Sequence, residues 1–592
     1  MKLKFFCTQF VLVSVLLATS SALNVRAEQA PPFMPVTSVK RLSQGWSQWE
    51  SDWFHSITQG SKFMPYAFYV ALEQAGNQEP LNSAENLEKF RCIPQPATAS
   101  NPDHLPIGFV ADPCQSLPRE LLKDTRSIGF TCAACHTAQI NYNGKGLLID
   151  GGPTLADMDA LLVAIKDAVV ATASNSEKFS RFAKKVLGDE DSATKRTLLK
   201  AQLRLTAAGQ RNYVAMNETA VPYGFARMDA FGRIFNNALV AVRSNDRIEP
   251  WAPVSYPFLW NTVQADTVQW TGNATNGLIG SLGRNVGEVV GVFGEIDTNE
   301  KPLPHGYASS LNFKNLKRIE KSLHGLKSPS WPEDVLGKLD SQKVKAGAEI
   351  FKRLRCDHCH PKINFFSWLP FVDSFKSHLT RLDDTPEEEG VHTDPTAAAL
   401  IRDSRANSGA LSGQRKLFSV LEKYSKTEPV SVITEDTVLR TLIGDVENKK
   451  LPSVSAGKVL LLGNGLNEYG DLDELMPMTA ERKVNEDANT KIQLVYRARP
   501  LDGIWATGPF LHNGSVPTLF DLLLPEAKRP VTFAMGNREF DPVKVGAVTT
   551  PTSETHIFNT RLKGNSNKGH NYGTSELTDD ERLQLVEYLK SL

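Results

Sequence analysis

Two copies of one five-residue pattern constrain this chain more than any other feature. Residues 132–136 read CAACH and residues 356–360 read CDHCH, so two Cys three positions apart are each time followed immediately by His. The 592 residues include only seven Cys and twelve His. Chance would rarely produce the pattern once and far more rarely twice. The repeat therefore indicates a chemical role for both segments.

Three chemistries use paired Cys at this spacing. Four thiolates can hold a structural zinc ion, and a Cys pair can act as a redox dithiol, but neither needs the trailing His. In C-x-x-C-H the thiols add to the vinyl groups of haem, and the adjacent imidazole becomes the proximal iron ligand. The sequence therefore predicts two covalently bound c-type haems. The residues concerned are Cys132, Cys135 and His136 for the first haem and Cys356, Cys359 and His360 for the second.

The N-terminus has the features of a secretory signal peptide. A basic start precedes an apolar run from Phe5 to about Ala18, and Val25-Arg26-Ala27 follows. The run is shorter than the ~20 residues that span a bilayer, which argues against a membrane anchor. We expect cleavage after Ala27, no membrane span in the mature chain, and a periplasmic or secreted protein.

The remaining Cys suit an oxidising compartment. Cys7 lies in the predicted signal peptide, whereas Cys92 and Cys114 lie outside both motifs on either side of a Pro-rich segment. Such a pair in an exported chain predicts a disulfide that contributes about 3 kcal/mol through loop closure. Two buried free thiols are the alternative.

Charge and composition exclude some partners. Lys and Arg together number 66, as do Asp and Glu, and there is no basic stripe for nucleic acid. A balanced charge excludes strong long-range steering but leaves room for local patches that would bind a small redox protein donor. The 41% of hydrophobic residues is ample for a core.

The apolar periodicity predicts a mainly α fold with extensive irregular loops. Thr578 and Glu581 have capping-box spacing, and Gly347 would permit a close helix approach. Pro- and Gly-rich segments separate helical patterns at 155–175, 177–210, 341–355, 415–445 and 578–592.

Two cytochrome c-like haem domains, the first with a helical insertion, account for this organisation. KSPSWPEDVLGKLD at 327–340 provides the boundary. We therefore assign residues 1–27 to the signal peptide, 28–330 to an N-terminal haem domain and 331–592 to a C-terminal haem domain.

The chemistry of each iron depends on its sixth ligand. His512, His570, Met476 and Met478 are candidates for the second haem, and His570 is favoured because it follows a Gly-containing loop just before the last helix. The first haem has no comparable candidate. We therefore expect its iron to be accessible to a small oxidant, either dioxygen or hydrogen peroxide.

Longer segments resemble the dihaem cytochrome c peroxidase superfamily, and within it the rubber oxygenase branch. The similarity extends from about residue 120 to residue 592. The segments are CAACHTAQINYNGKGLLIDGGP (132–153), RNVGEVVGVFG (284–294), ARPLDGIWATGPFLHNGSVPTLFDLLLP (498–525), REFDPVKVG (538–546) and GHNYGTSELTDDER (569–582).

The resemblance implies an exported, part-helical dihaem protein that cleaves an apolar alkene with dioxygen. The first haem would be the active one, with oxygen bound opposite His136, and the second would be ligated by His360 and His570. A Trp lies between the haems in such proteins. Trp270 is our choice for this catalytic role, and Trp260 is the alternative.

This chain departs from the rubber oxygenases at the oxygen site. Those enzymes have a Phe there, whereas this chain offers only Leu282 near the expected place. The polyisoprene substrate therefore does not follow. A peroxidase would instead need a distal acid or base, for which Glu249 and Glu288 are candidates. Related peroxidases often hold calcium between their domains, but no stretch here has the spacing of a calcium loop.

Three functions remain open from the sequence. The favoured one is a haem oxidoreductase that activates dioxygen at the N-terminal haem. The first alternative is a hydrogen-peroxide peroxidase that receives electrons through the C-terminal haem. The second is a pure electron-transfer cytochrome in which both irons are six-coordinate.

Overall fold

The computed structural model describes residues 36–276, 280–298, 306–363, 376–385, 389–417, 422–448 and 494–592. The predicted signal peptide and the ligand candidates Met476 and Met478 lie outside the described residues. None of the described helices combines the length and the apolar character needed to cross a membrane.

Helices make up most of the regular structure in the described residues, in agreement with a fold dominated by helices and loops. In chain order the α-helices are α1 (Gln48–Ser56), α2 (Tyr66–Ala71), α3 (Ala84–Glu88), α4 (Cys132–Cys135), α5 (Met158–Ser174), α6 (Ser176–Leu187), α7 (Ala193–Met216), α8 (Ala230–Ala241), α9 (Gly280–Gly291), α10 (Phe313–Leu323), α11 (Glu333–Leu336), α12 (Ser341–Arg353), α13 (Cys356–Cys359), α14 (Thr396–Asp403), α15 (Val430–Asn448), α16 (Leu519–Leu522) and α17 (Asp579–Lys590).

The described strands form sheets of only two or three strands. One three-stranded sheet contains β1 (Ser38–Arg41), β5 (Thr137–Tyr142) and β6 (Lys145–Asp150), in the order β1-β6-β5. Another contains β2 (Met64–Pro65), β3 (Phe109–Asp112) and β4 (Ser127–Phe130), in the order β2-β4-β3. The two-stranded sheets pair β7 (Arg227–Met228) with β8 (Val254–Ser255), β9 (Thr267–Val268) with β10 (Ala274–Thr275), β11 (Ile296–Asp297) with β12 (Ala308–Ser309), β13 (Leu379–Arg381) with β16 (Val495–Arg497), β14 (Arg405–Asn407) with β15 (Thr427–Pro429), β17 (Thr532–Met535) with β20 (His556–Asn559), and β18 (Phe540–Asp541) with β19 (Gly546–Ala547).

The helical patterns predict the presence of helices better than they predict where each helix begins and ends. The single pattern at 177–210 divides into α6 and α7, because Gly188 ends α6 with a positive φ of 51°. The predicted helix at 415–445 is wrong at residues 427–429, which form a strand paired with 405–407 before α15 begins.

The close helix approach predicted at Gly347 is present, and the structure identifies the C-terminal helix as the partner of α12. A Cβ on Gly347 would lie 2.0 Å from the Gln584 carbonyl oxygen and 2.7 Å from Cβ of Tyr588, so only Gly allows α12 and α17 to approach this closely. The capping box at the start of α17 is also present, with Thr578 and Glu581 each accepting from the other's backbone N–H.

Apolar packing runs across the predicted domain boundary. Trp331, at the boundary, contacts Trp505 with ring centroids 5.4 Å apart, and Phe540 at 6.2 Å. One buried cluster includes Leu147 from the N-terminal half and Leu585 from α17. The division at residue 330 remains a prediction.

The predicted disulfide is wrong in this structure, because Cys92 and Cys114 are both free. Cys92 is buried in the apolar cluster that contains Leu87 and Leu105. Cys114 instead places its Sγ 3.6 Å from the Ser310 carbonyl oxygen. Burial raises the pKa of each thiol to about 12. Both thiols are therefore protonated at neutral pH.

The tight helix contact predicts the effect of one added methyl group. Gly347→Ala should destabilise the protein by about 1–3 kcal/mol, because the new Cβ meets backbone that cannot turn away. Its control is Gly209→Ala in α7, where nothing lies within 4 Å and the gain in helix propensity should add up to about 1 kcal/mol. Urea unfolding of both variants measures the difference. Equal midpoints would contradict the contact.

Candidate haem centres

The first motif forms a short capped turn inside the protein. The Thr131 side chain accepts from the backbone N–H of Ala133, and the His136 N–H donates to the Cys132 carbonyl. The spacers Ala133 and Ala134 are both buried. A Cβ on Gly108, whose φ is +84°, would lie 2.1 Å from the Ala134 nitrogen. Residue 108 must therefore be Gly for its loop to pack against the backbone of the motif.

The His136 ring is held by a main-chain carbonyl. Its Nδ1 lies 2.8 Å from the Pro257 oxygen, which can only accept, so Nδ1 carries the proton and Nε2 is free to ligate. Burial lowers the pKa of His136 to about 4, which keeps the ring neutral. A neutral imidazole with one nitrogen fixed is the form that binds iron.

A cavity of about 160 Å³ lies beside this motif. Cys132, Cys135 and His136 all line it. The volume is below the roughly 300–1,000 Å³ of typical cofactor sites. A haem attached here therefore requires neighbouring side chains to move outward.

The first cavity also contains a buried acid. Glu288 of α9 lines the cavity and accepts a hydrogen bond of 3.1 Å from the Gln269 amide. Burial raises the pKa of Glu288, although nearby Arg284 opposes the change. Arg284 itself pairs with Glu320, which also lines the cavity.

The structure separates the two acids considered from the sequence. Glu249 is exposed and accepts from the backbone N–H of Ala220, away from the first cavity. Gln269 was not predicted, and its position beside Trp270 is the only sequence signal that could have indicated it. Leu282 packs in the apolar core.

The second motif lies nearer the surface. Its spacers Asp357 and His358 are exposed, unlike the buried Ala pair of the first motif. The His360 Nδ1 lies 2.7 Å from the Arg499 carbonyl oxygen, which again leaves Nε2 to ligate. Burial lowers the pKa of His360.

A second cavity of about 520 Å³ contacts this motif. Cys356, Cys359, His360 and His570 line it, together with the apolar side chains of α17 and neighbouring loops. This volume is typical of a cofactor site. The second cavity therefore suits a haem as it stands.

The structure brings His360 and His570 together across this cavity. Their ring centroids are 6.1 Å apart. Two metal–imidazole bonds of about 2 Å, with each ring centre about 1 Å beyond its nitrogen, would set axial ligands about 6 Å apart. His570 Nδ1 is buried and has no hydrogen-bond partner among the described residues. Burial lowers the pKa of His570 to about 3.

The rival ligand has a different environment. His512 also lines the second cavity, but its ring stacks on Tyr496 with centroids 4.1 Å apart. Burial lowers the pKa of His512 to about 4. The contacts of His512 therefore resemble those of a packed core residue.

The two candidate Trp residues also differ. Trp270 lines the second cavity and donates from Nε1 to the Ser255 carbonyl at 2.8 Å. Trp260 is fully buried and stacks on Phe258 with centroids 4.6 Å apart. Trp270 is the one of the two that could contact a group bound in a described cavity.

One wall separates the two cavities. Its residues line both, and they were not predicted from the sequence. They are Tyr256, Pro257, Phe258, Arg497 and Arg499. Pro257 and Arg499 supply the carbonyls that hold His136 and His360. The wall therefore fixes the imidazole rings of both motif histidines.

A group of possible metal ligands among the described residues comprises His358, Cys359 and His378. Cys359 belongs to the second motif, so a thioether to haem would use its sulfur. The group therefore carries no separate metal site, and no calcium ligand set emerges from it.

Known proteins provide an independent comparison. Residues 495–534 match the family described as RoxA-like, cytochrome c-like. The segment contains Arg497, Arg499 and His512 of the second cavity. A cytochrome c-like segment implies a c-type haem with iron.

Two relatives are proteins of Sinorhizobium fredii (strain NBRC 101917 / NGR234). The uncharacterized protein y4iJ is 31% identical over 618 aligned positions, which cover 95% of this chain and 94% of the relative. The uncharacterized protein y4iM is 25% identical over 384 positions, which cover 62% and 69%. The chain therefore belongs to the family of y4iJ, and its RoxA-like segment relates it to the RoxA-like c-type cytochromes.

Proposed function

We propose that the protein is an exported dihaem oxidoreductase in which the first haem activates a small oxidant and the second delivers electrons. The observation that carries this proposal is the unequal surroundings of the two motifs. Glu288 and Gln269 line the cavity beside His136. The second cavity instead has His570 at axial-ligand distance from His360.

Hydrogen peroxide is the oxidant that this arrangement favours. Reducing one peroxide to two waters takes two electrons and two protons, so a proton donor must lie near the oxidant. Burial raises the pKa of Glu288, which favours the protonated carboxyl that can act as the donor. The Gln269 amide orients the carboxyl through its hydrogen bond.

The haem, when bound, supplies an iron that exchanges electrons and accepts a small oxidant. The protein supplies the orientation of the imidazoles. The Pro257 carbonyl fixes the neutral tautomer of His136, and the Arg499 carbonyl does so for His360. Trp270, beside the wall between the cavities, provides an aromatic group along the route for electrons.

Cleavage of an apolar alkene by dioxygen is the second candidate function. Apolar side chains favour it, because Phe231, Ile234 and Val292 line the first cavity. The carboxyl of Glu288 opposes it, since an oxygenase of the expected kind has no acid or base there.

Two assays on the haem-loaded protein decide between these functions. A peroxidase should oxidise a reduced small cytochrome with hydrogen peroxide and consume no dioxygen. An oxygenase should consume dioxygen with polyisoprene or a smaller alkene and incorporate both oxygen atoms. A pure electron carrier would show low-spin haem only, with no spectral change on addition of peroxide or carbon monoxide.

Replacing Glu288 should remove the proton donor. Glu288→Gln should lower peroxide turnover by about 10²- to 10⁴-fold at neutral pH. Wild-type turnover should fall as pH rises through the raised pKa of Glu288, because the donor must be protonated, and the residual activity of the variant should lack this dependence.

The matched control is Glu249→Gln, at an exposed position. Its rate and pH profile should equal those of the wild type. A Glu288→Gln variant with the wild-type rate would contradict the assigned role.

Replacing His570 should remove one axial ligand from the iron of the second haem. His570→Ala should convert the low-spin electron paramagnetic resonance signal of the second haem to high spin, because one axial nitrogen is lost. His512→Ala is the control and should leave that signal unchanged. The opposite pattern would reassign the ligand to His512.

A further inference from the structure

Arg499 lies in the wall between the cavities, and its guanidinium has fewer hydrogen-bond acceptors than donors. Its side chain is only 9% exposed, and Nη2 donates to the Phe258 carbonyl at 2.6 Å. Nε and Nη1 are buried and have no hydrogen-bond partner among the described residues. Leaving buried charged donors unpaired costs several kcal/mol, so this arrangement indicates a missing acceptor.

The charges of this wall favour an anion as the missing acceptor. The Arg499 guanidinium lies over the Phe258 ring, with Cζ 3.6 Å from the centroid. Arg497 adds a second positive charge to the same wall and donates from Nε to the Ser377 hydroxyl. Carboxylates are the usual partners of buried guanidinium groups, and each haem carries two propionate carboxylates.

The two free donors require more than one acceptor. Within a guanidinium plane, Nε–H forms a fork with one terminal nitrogen, and the two terminal nitrogens form another. Nε and Nη1 are not neighbours in either fork, because Nη2 lies between them. A single carboxylate therefore cannot accept from both in the usual bidentate geometry. Arg499 also lines both cavities, so an acceptor on each side is geometrically accessible.

We propose that Arg499 bridges the two haems, with Nε and Nη1 donating to a propionate of each. The proposal rests on the proposed attachment of haem at both motifs. Arg499 is a positioning residue in this role, since its carbonyl also holds His360 and its guanidinium donates to Phe258, next to the Pro257 carbonyl that holds His136. One residue, through its main-chain carbonyl and its guanidinium, thereby links both proximal ligands and both haems.

The test measures the midpoint potential of each haem by potentiometric titration of the haem-loaded full chain. Arg499→Met should lower both potentials, because a nearby cation favours the reduced state. The expected change is about tenfold in each reduction equilibrium, which is 59 mV for a one-electron couple. Propionate bands in the resonance Raman spectrum should shift for both haems.

Two further variants keep the test decisive. Arg499→Lys retains the positive charge but loses the donors that point toward both cavities. Its haem potentials should therefore lie between those of the wild type and those of Arg499→Met. This variant replaces Arg499→Met in the test if the Met variant does not fold. Arg538→Met is the matched control. Arg538 is equally buried but donates to Glu88 and to the carbonyls of Arg91 and Cys92, outside both cavities, so its loss should leave the potentials unchanged.

The outcomes separate this proposal from the proposed function. Two attached haems with unchanged potentials in the Arg499 variants would overturn the bridge and leave the proposed function intact. A change in only one haem would also overturn the bridge, because Arg499 would then serve a single propionate. A wild-type protein whose mass lacks either haem would overturn both proposals.

Discussion

Two main-chain carbonyls hold the chemistry of this protein in place. Pro257 and Arg499 each accept a hydrogen bond from the Nδ1 of a motif His. The two carbonyls lie on segments joined by the hydrogen bond from Arg499 to Phe258. A shift of one segment would therefore be transmitted to both imidazoles. The orientation of each motif imidazole therefore depends on the wall between the cavities as well as on its own motif.

The short turns of the two motifs and the start of the last helix were predictable because they depend on local sequence. C-x-x-C-H specifies its own turn, and the capping box of α17 needs only Thr578 and Glu581. A close helix approach could be predicted at Gly347 because a residue without a side chain is unusual in an apolar helical face. His570 was favoured for its position before the last helix, and the structure places it near His360.

Features that depend on distant parts of the chain were not predictable. Glu288 was one of two candidate acids, but the sequence could not show that it meets Gln269, because the two residues come together only through the fold. Arg499 belongs to a segment quoted for its resemblance, yet its unpaired donors are visible only in three dimensions. The prediction of a Cys92–Cys114 disulfide failed because spacing along a Pro-rich segment does not by itself bring two thiols together.

The close contact of α12 and α17 has a consequence for the order of assembly. The second motif follows α12 directly, whereas α17 and His570 come from the last residues of the chain. The second cavity therefore lacks one of its walls until α17 packs against α12. Before that contact forms, Cys356 and Cys359 are less enclosed than in the folded chain, and packing of the final helix completes the enclosure of the second cavity.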